Sequence, residues 1–202
     1  MKKMMMTLAA VLCCAMTTSV FTACGGDDDT PDSKLPESPQ PTEKTVQVPT
    51  TARVQFYVEN TADMLKYLDI VVKCSDGEKE YASQVLTREL VDDSYTFKTN
   101  VFVSKLPAQF KVWREIKVKE AFKDSVNNLE RFDYTSYIPY YYGVYDADNN
   151  IIGKINDGRF GSIYSSDHQN NEMVRNFFSK FEQLLCRTYE LNFDKNGIMS
   201  KK

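Results

Sequence analysis

The sequence predicts a mainly β domain: an antiparallel sandwich with one amphipathic helix near the C-terminus. Three observations predict it. Apolar residues alternate with period two over several short runs. Turn residues, not crossover helices, join those runs. A single stripe at three- and four-residue spacing lies between Met173 and Leu185.

Val54, Phe56 and Val58 form the first apolar face, and Leu68, Ile70, Val72 and Cys74 the second. Asp76-Gly77 then signals a tight hairpin leading into a strand around Lys79–Leu86. Tyr95, Phe97, Val101 and Val103 are expected on one face, as are Phe110, Val112, Ile116 and Val118. Further strands are expected around Tyr134–Tyr145, Asn150–Ile155 and Phe160–Tyr164. In the helix, Met173, Val174, Phe177, Phe178, Phe181, Leu184 and Leu185 share a stripe, with Arg175, Lys180 and Glu182 opposite and Asn170 or Asn171 as N-cap. Tyr189, Leu191 and Phe193 alternate as a last strand. Residues 121–131 fit either a helical turn or a loop.

The chain starts with a targeting segment. Lys2 and Lys3 precede an uncharged stretch from Met4 to Val20, and Thr22 and Ala23 are small residues in front of Cys24. Residues 1–23 therefore read as a lipoprotein signal peptide, and Cys24 as the lipidation site carrying palmitate-type acyl chains to a membrane. Phe21 departs from the leucine usual three positions before such a cysteine. Residues 24–50 read as the lipidated cysteine and a disordered tether. Asp27, Asp28, Asp29, Asp32, Glu37 and Glu43 face only Lys34 and Lys44, and five of the chain's seven prolines fall here. Such a segment buries too little apolar surface to offset the entropy of ordering. Residues 51–202 read as a single domain.

Cys24-Gly25-Gly26-Asp27-Asp28-Asp29 resembles the start of surface lipoproteins of the Bacteroidota, in which an acidic run behind the lipidated cysteine directs export to the outer leaflet. The resemblance implies an outer-membrane protein facing the cell exterior. Met64-Leu65-Lys66-Tyr67-Leu68-Asp69-Ile70, Asp76-Gly77 and Leu106-Pro107-Ala108-Gln109-Phe110 likewise resemble uncharacterised lipoproteins of that group with an immunoglobulin-like β-sandwich. That likeness covers about half the domain and brings no catalytic residues with it.

Without Lys2 and Lys3 the chain holds 23 basic and 28 acidic residues, and residues 51–202 carry a net charge of only about −1. There is no basic patch to hold a phosphate backbone, which argues against nucleic acid as a partner. Cys74 closes an apolar strand and Cys186 falls on the polar side of the helix; their pairing stays open.

Catalytic chemistry finds little support. His168 is the only histidine, and on one helix 18 residues would hold it about 27 Å from Cys186. No Gly-rich phosphate loop and no zinc pattern is present, so no cofactor is implied. Asp146, Asp148, Asn150 and Asp157 follow EF-hand spacing, but Ile151 stands where the loop needs glycine, and a hairpin turn between Tyr145 and Ile151 explains the segment better. A carboxylate-pair hydrolase is not excluded by composition, yet no pair is singled out.

The feature above background is aromatic. Tyr134, Tyr137, Tyr140, Tyr141, Tyr142 and Tyr145 crowd one segment. On a single strand Ile138, Tyr140, Tyr142 and Val144 face inward, and Tyr137, Tyr141 and Tyr145 project from the other side. Trp113 likewise falls opposite the apolar face of its own strand. Tyrosines also fill sandwich cores, so two readings stand. In one they are packing; in the other Tyr137, Tyr141, Tyr145 and Trp113 form a platform for a glycan or protein ligand. The favoured expectation is a non-catalytic binding or accessory module. The alternatives are a structural or adhesive subunit, whose strand from Tyr189 adds to a neighbour's sheet, and a carboxylate-dependent hydrolase.

Overall fold

The computed structural model describes residues 47–161, 166–168 and 171–202. The expected signal peptide, Cys24 and most of the tether lie outside the described residues, as do Asn170, part of the strand expected at Phe160–Tyr164, and the side chain of His168. Twelve strands are described: β1 (Thr51–Glu59), β2 (Leu68–Ser75), β3 (Gln84–Val85), β4 (Thr96–Lys98), β5 (Phe102–Lys105), β6 (Ala108–Val118), β7 (Phe132–Tyr134), β8 (Ile138–Tyr145), β9 (Asn156–Phe160), β10 (Ser166–His168), β11 (Tyr189–Phe193) and β12 (Met199–Lys201). The helices are α1 (Ala62–Tyr67), α2 (Asn171–Phe178) and α3 (Phe181–Leu185).

The strands make an antiparallel β-sandwich. In one sheet β1 pairs with β8 on one side and with β4 and β5 in succession on the other; β9 follows β8. The second sheet runs β12-β11-β6-β2-β3, and β7 pairs separately with β10. Alternation on β1, β2 and β6 sends Val54, Phe56, Ile70, Phe110 and Val112 into one shared core. Rings close it across the layers: Tyr142 meets Phe193 at 5.4 Å, and Phe160 stacks on Tyr189 at 4.8 Å.

The chain crosses between the sheets through α1, which the strand pattern did not foresee. Thr61 caps it, its Oγ1 accepting from Met64 N at 3.2 Å, and Asp63 sits in the first turn.

Two expected strands are interrupted. After the turn at Asp76-Gly77, which Asp76 closes by accepting from Lys79 N at 2.9 Å, Ser75 bridges Glu80. The ladder resumes only at Gln84–Val85, shifted by one residue. The expectation that Phe97 shares a face with Val101 and Val103 is likewise corrected. Lys98 faces Tyr57 but Phe102 faces Val54, so one extra residue lies between β4 and β5. Thr99 fills the break: its amide donates to Phe56 O at 3.0 Å, while its Oγ1 accepts from Phe56 N at 3.1 Å. The parity therefore flips. Phe102 is buried, and Val101 and Val103 face outward.

The strand expected at Asn150–Ile155 begins instead at Asn156, and residues 146–150 form the expected hairpin turn. Asp146 accepts from Asn150 N at 2.8 Å, which holds its carboxyl below the usual range, and Tyr145 bridges Ile151. The segment expected as a helical turn or loop at 121–131 carries two 3₁₀ turns, Glu120–Phe122 and Val126–Asn128.

The aromatic stripe is split into two helices. Ser179 Oγ donates back to Asn176 O at 2.8 Å, and Lys180 leaves the helical region at φ −142°. Val174, Phe177, Phe181 and Leu185 still reach the core, whereas Met173 is exposed. Beneath α3 lies a residue that the apolar spacing of β6 passed over. Arg114 is only 1% exposed, and its Nε donates to Leu185 O, at the C-terminal end of α3, at 3.2 Å. Its Nη1 donates to Thr135 O at 3.5 Å, and burial pulls the guanidinium down to about 10, so it remains charged at neutral pH.

Candidate aromatic binding face

The outer face of the first sheet is built from the odd-numbered residues of β1 and β8. Those between Val54, Phe56 and Val58 point away from the core, so Arg53, Gln55 and Tyr57 share the outer surface with Tyr141, Gly143 and Tyr145. The register sets Arg53 opposite Gly143 and Gln55 opposite Tyr141. Tyr141 is 45% exposed, and its ring meets Tyr57 edge-on at 5.1 Å.

Gly143 decides the shape of this surface. A Cβ there would lie 3.0–3.3 Å from the ring and hydroxyl of Tyr145, which folds across the gap the glycine leaves. The Arg53 guanidinium covers the same ring at 4.1 Å and donates to the Oδ1 of Asn149, itself held in the left-handed region at φ 69°. The Nε of Arg53 is buried without a hydrogen-bond partner. Tyr57 and Gln55 are fixed in turn: Tyr57 Oη donates to Gln55 Oε1 at 3.0 Å, and Gln55 Nε2 donates to Thr99 O at 2.8 Å. Arg53, Gln55, Tyr141 and Tyr145, with Val101 and Ile155, line a cleft of about 230 Å³.

Of the expected platform residues, the structure brings together Tyr141 and Tyr145. Tyr137 lies just before β8, half-buried, and its hydroxyl bonds the Glu59 carboxylate, which raises its pKa. Trp113 stands apart. It lies on β6, opposite Lys73, on the outer side of the second sheet. Arg53, Tyr57, Gly143, Val101 and Ile155 were missed as site residues. Alternation on β1 carried a signal for Arg53 and Tyr57, but only the pairing of β1 with β8 sets them beside the tyrosines.

The remaining chemistry is sparse. The two cysteines among the described residues are free thiols: Cys74 faces the core, and Cys186 follows α3 half-buried, with burial raising each. Among the described residues no three His, Cys, Asp or Glu side chains cluster as a metal site, and no helix is long and apolar enough to cross a membrane. β11 is paired on both sides, with β6 and β12, so the strand from Tyr189 offers no free edge to a neighbour. Compared with protein-family models, curated proteins and solved structures, the chain matches none.

Proposed function

We propose that this chain is an outer-membrane lipoprotein, anchored through acylated Cys24 and facing the exterior, which acts as a non-catalytic module binding glycan on its outer aromatic face. One observation carries the reading: the cleft of Tyr141, Gly143, Tyr145 and Arg53 sets the exposed ring of Tyr141 beside a guanidinium. A sugar ring offers an apolar C–H face to stack on tyrosine and hydroxyl oxygens to accept from the guanidinium. Carbohydrate fits better than a flat apolar ligand because the cleft mixes Arg53 with rings and aliphatics.

A glycan array probed with the full-length chain tests this. Retention of a defined set of glycans is expected, weakened at least tenfold by Tyr141→Ala. Gly143→Ala should weaken binding similarly, because the new methyl group displaces the Tyr145 ring. A blank array, or glycans held equally well by Tyr141→Ala, overturns the glycan assignment. A protein recovered by pull-down through the same tyrosines, with the array blank, replaces glycan by a protein ligand.

A further inference from the structure

The cleft on the outer aromatic face carries positive charge that the fold leaves unbalanced. Arg53 lines it, half-buried, and both of its partners are neutral: the Tyr145 ring, 4.1 Å from the guanidinium, and the Oδ1 of Asn149. Its Nη1 makes no hydrogen bond among the described residues. A second cation, Lys105, stands at the rim. Thr51 pairs with Lys105 on one side and Tyr145 on the other, so the exposed lysine shares a face with the ring and with Arg53. Among the described residues no carboxylate forms an ion pair with either cation.

The outer face of the second sheet is built differently. Its half-buried lysines each hold a carboxylate: Lys73 meets Glu115 at 2.6 Å, and Lys111 meets Glu190 at 3.3 Å. On the aromatic face the carboxylates stand away from the cations. Asp157 faces Tyr141 from β9, on the side away from β1, and Glu59 takes the Tyr137 hydroxyl at the other end of β1 from Arg53. A ligand seated on Tyr141 and against Arg53 strips water from the guanidinium. A neutral sugar offers hydroxyl oxygens there but no charge, whereas a carboxylate offsets the lost hydration. The guanidinium also presents its N–H groups as a planar fork that matches a carboxylate.

Given the glycan-binding role proposed for this face, we infer that the glycan is acidic, with a uronic acid in the cleft. One sugar ring stacks on Tyr141, and the carboxylate of that sugar or its neighbour accepts from Arg53 Nη1. Lys105 adds a weaker, solvent-screened attraction from the rim. Asp157 fixes the orientation, because it repels the acid group from the β9 side of Tyr141 and leaves the Arg53 side open to it.

Oligosaccharides containing uronic acid, compared with their carboxyl methyl esters on the full-length chain, test this, because the ester keeps every ring and removes only the charge. An array should retain uronate glycans, and the best of them should bind about tenfold or more tightly than its ester at low salt. Added salt should narrow that gap. Arg53→Gln should erase it. Lys105→Gln, which leaves Arg53 on the Tyr145 ring, should reduce it by about two- to threefold with an unchanged melting temperature. Retention of neutral glycans alone, or equal affinity for acid and ester in the parent, overturns the acidic class and leaves glycan binding standing. An acid preference that survives Arg53→Gln in full overturns the placement in this cleft. Sulfated glycans retained without uronates overturn the carboxylate, and a blank array overturns glycan binding with it.

Discussion

Two buried residues show how single side chains set the stability of this domain. Arg114 lies in the core without a carboxylate partner, and two backbone carbonyls take its donors. Leu185 O is an unsatisfied helix-end group that welcomes positive charge, so the guanidinium acts as a C-cap from below. Truncating it strands both carbonyls and opens a cavity, each orphaned group costing about 1–3 kcal/mol. Arg114→Ala is therefore expected to lose about 2–5 kcal/mol in urea unfolding. Arg114→Met should lose less than half as much, because it refills the volume and removes a charge that burial disfavours. Equal losses in the two variants would show that the hydrogen bonds alone matter. Cys74 makes a prediction in pH. Burial pushes its thiol from 9.0 up to about 12, so the folded state holds the proton through a range in which the unfolded chain releases it. A group with a raised folded pKa contributes fully below its unfolded value and loses that contribution as pH rises toward the folded one. The parent should thus lose stability relative to Cys74→Ala between about pH 9 and 12, by up to about 1.4 kcal/mol per pH unit. Parallel stability curves over that window would refute the burial of the thiol.

Secondary-structure elements differ in how the aromatic helical segment and the strands depend on their neighbours. Phe177 sits at the centre of the segment's contacts, with ring centroids 4.4 Å from Tyr134 and 4.9 Å from Phe132. Phe177→Ala is expected to cost about 3–5 kcal/mol, seen as a fall of many degrees in melting temperature. Arg175→Ala, on the exposed side, should stay within about 0.5 kcal/mol. Similar melting of both variants would mean that the stripe is not part of the core. Periodicity revealed this stripe but not its break, because a local side-chain bond from Ser179 competes with the helix where no glycine or proline marks the place. The same contrast runs through the strands. β1, β2, β6 and β11 could be read from alternation because each is paired along its length and keeps one face on the core. Between Lys79 and Lys105 the reading failed, since two one-residue shifts reverse the inward face without changing composition. The candidate site divides likewise. Tyr141 and Tyr145 were legible from their own strand, whereas Arg53 and Tyr57 join them only through long-range pairing.

At the scale of the whole molecule, the proposed function depends on how the domain is held. Residues 51–202 carry a net charge of about −1, so the domain has little basic charge to draw it to an anionic bilayer surface. Among the described residues no helix is long and apolar enough to span one. On this reading attachment rests on the acyl chains expected at Cys24. One chain binds only marginally, at about 0.8 kcal/mol per buried methylene, and two or more hold firmly. Cys24→Ala removes every chain at once and leaves the domain unchanged. That variant is expected to move from the membrane pellet to the supernatant after a high-salt wash, while its melting temperature and glycan retention match the parent domain's. Continued pelleting would show that another part of the chain holds the membrane, and the lipid anchor would have to be abandoned.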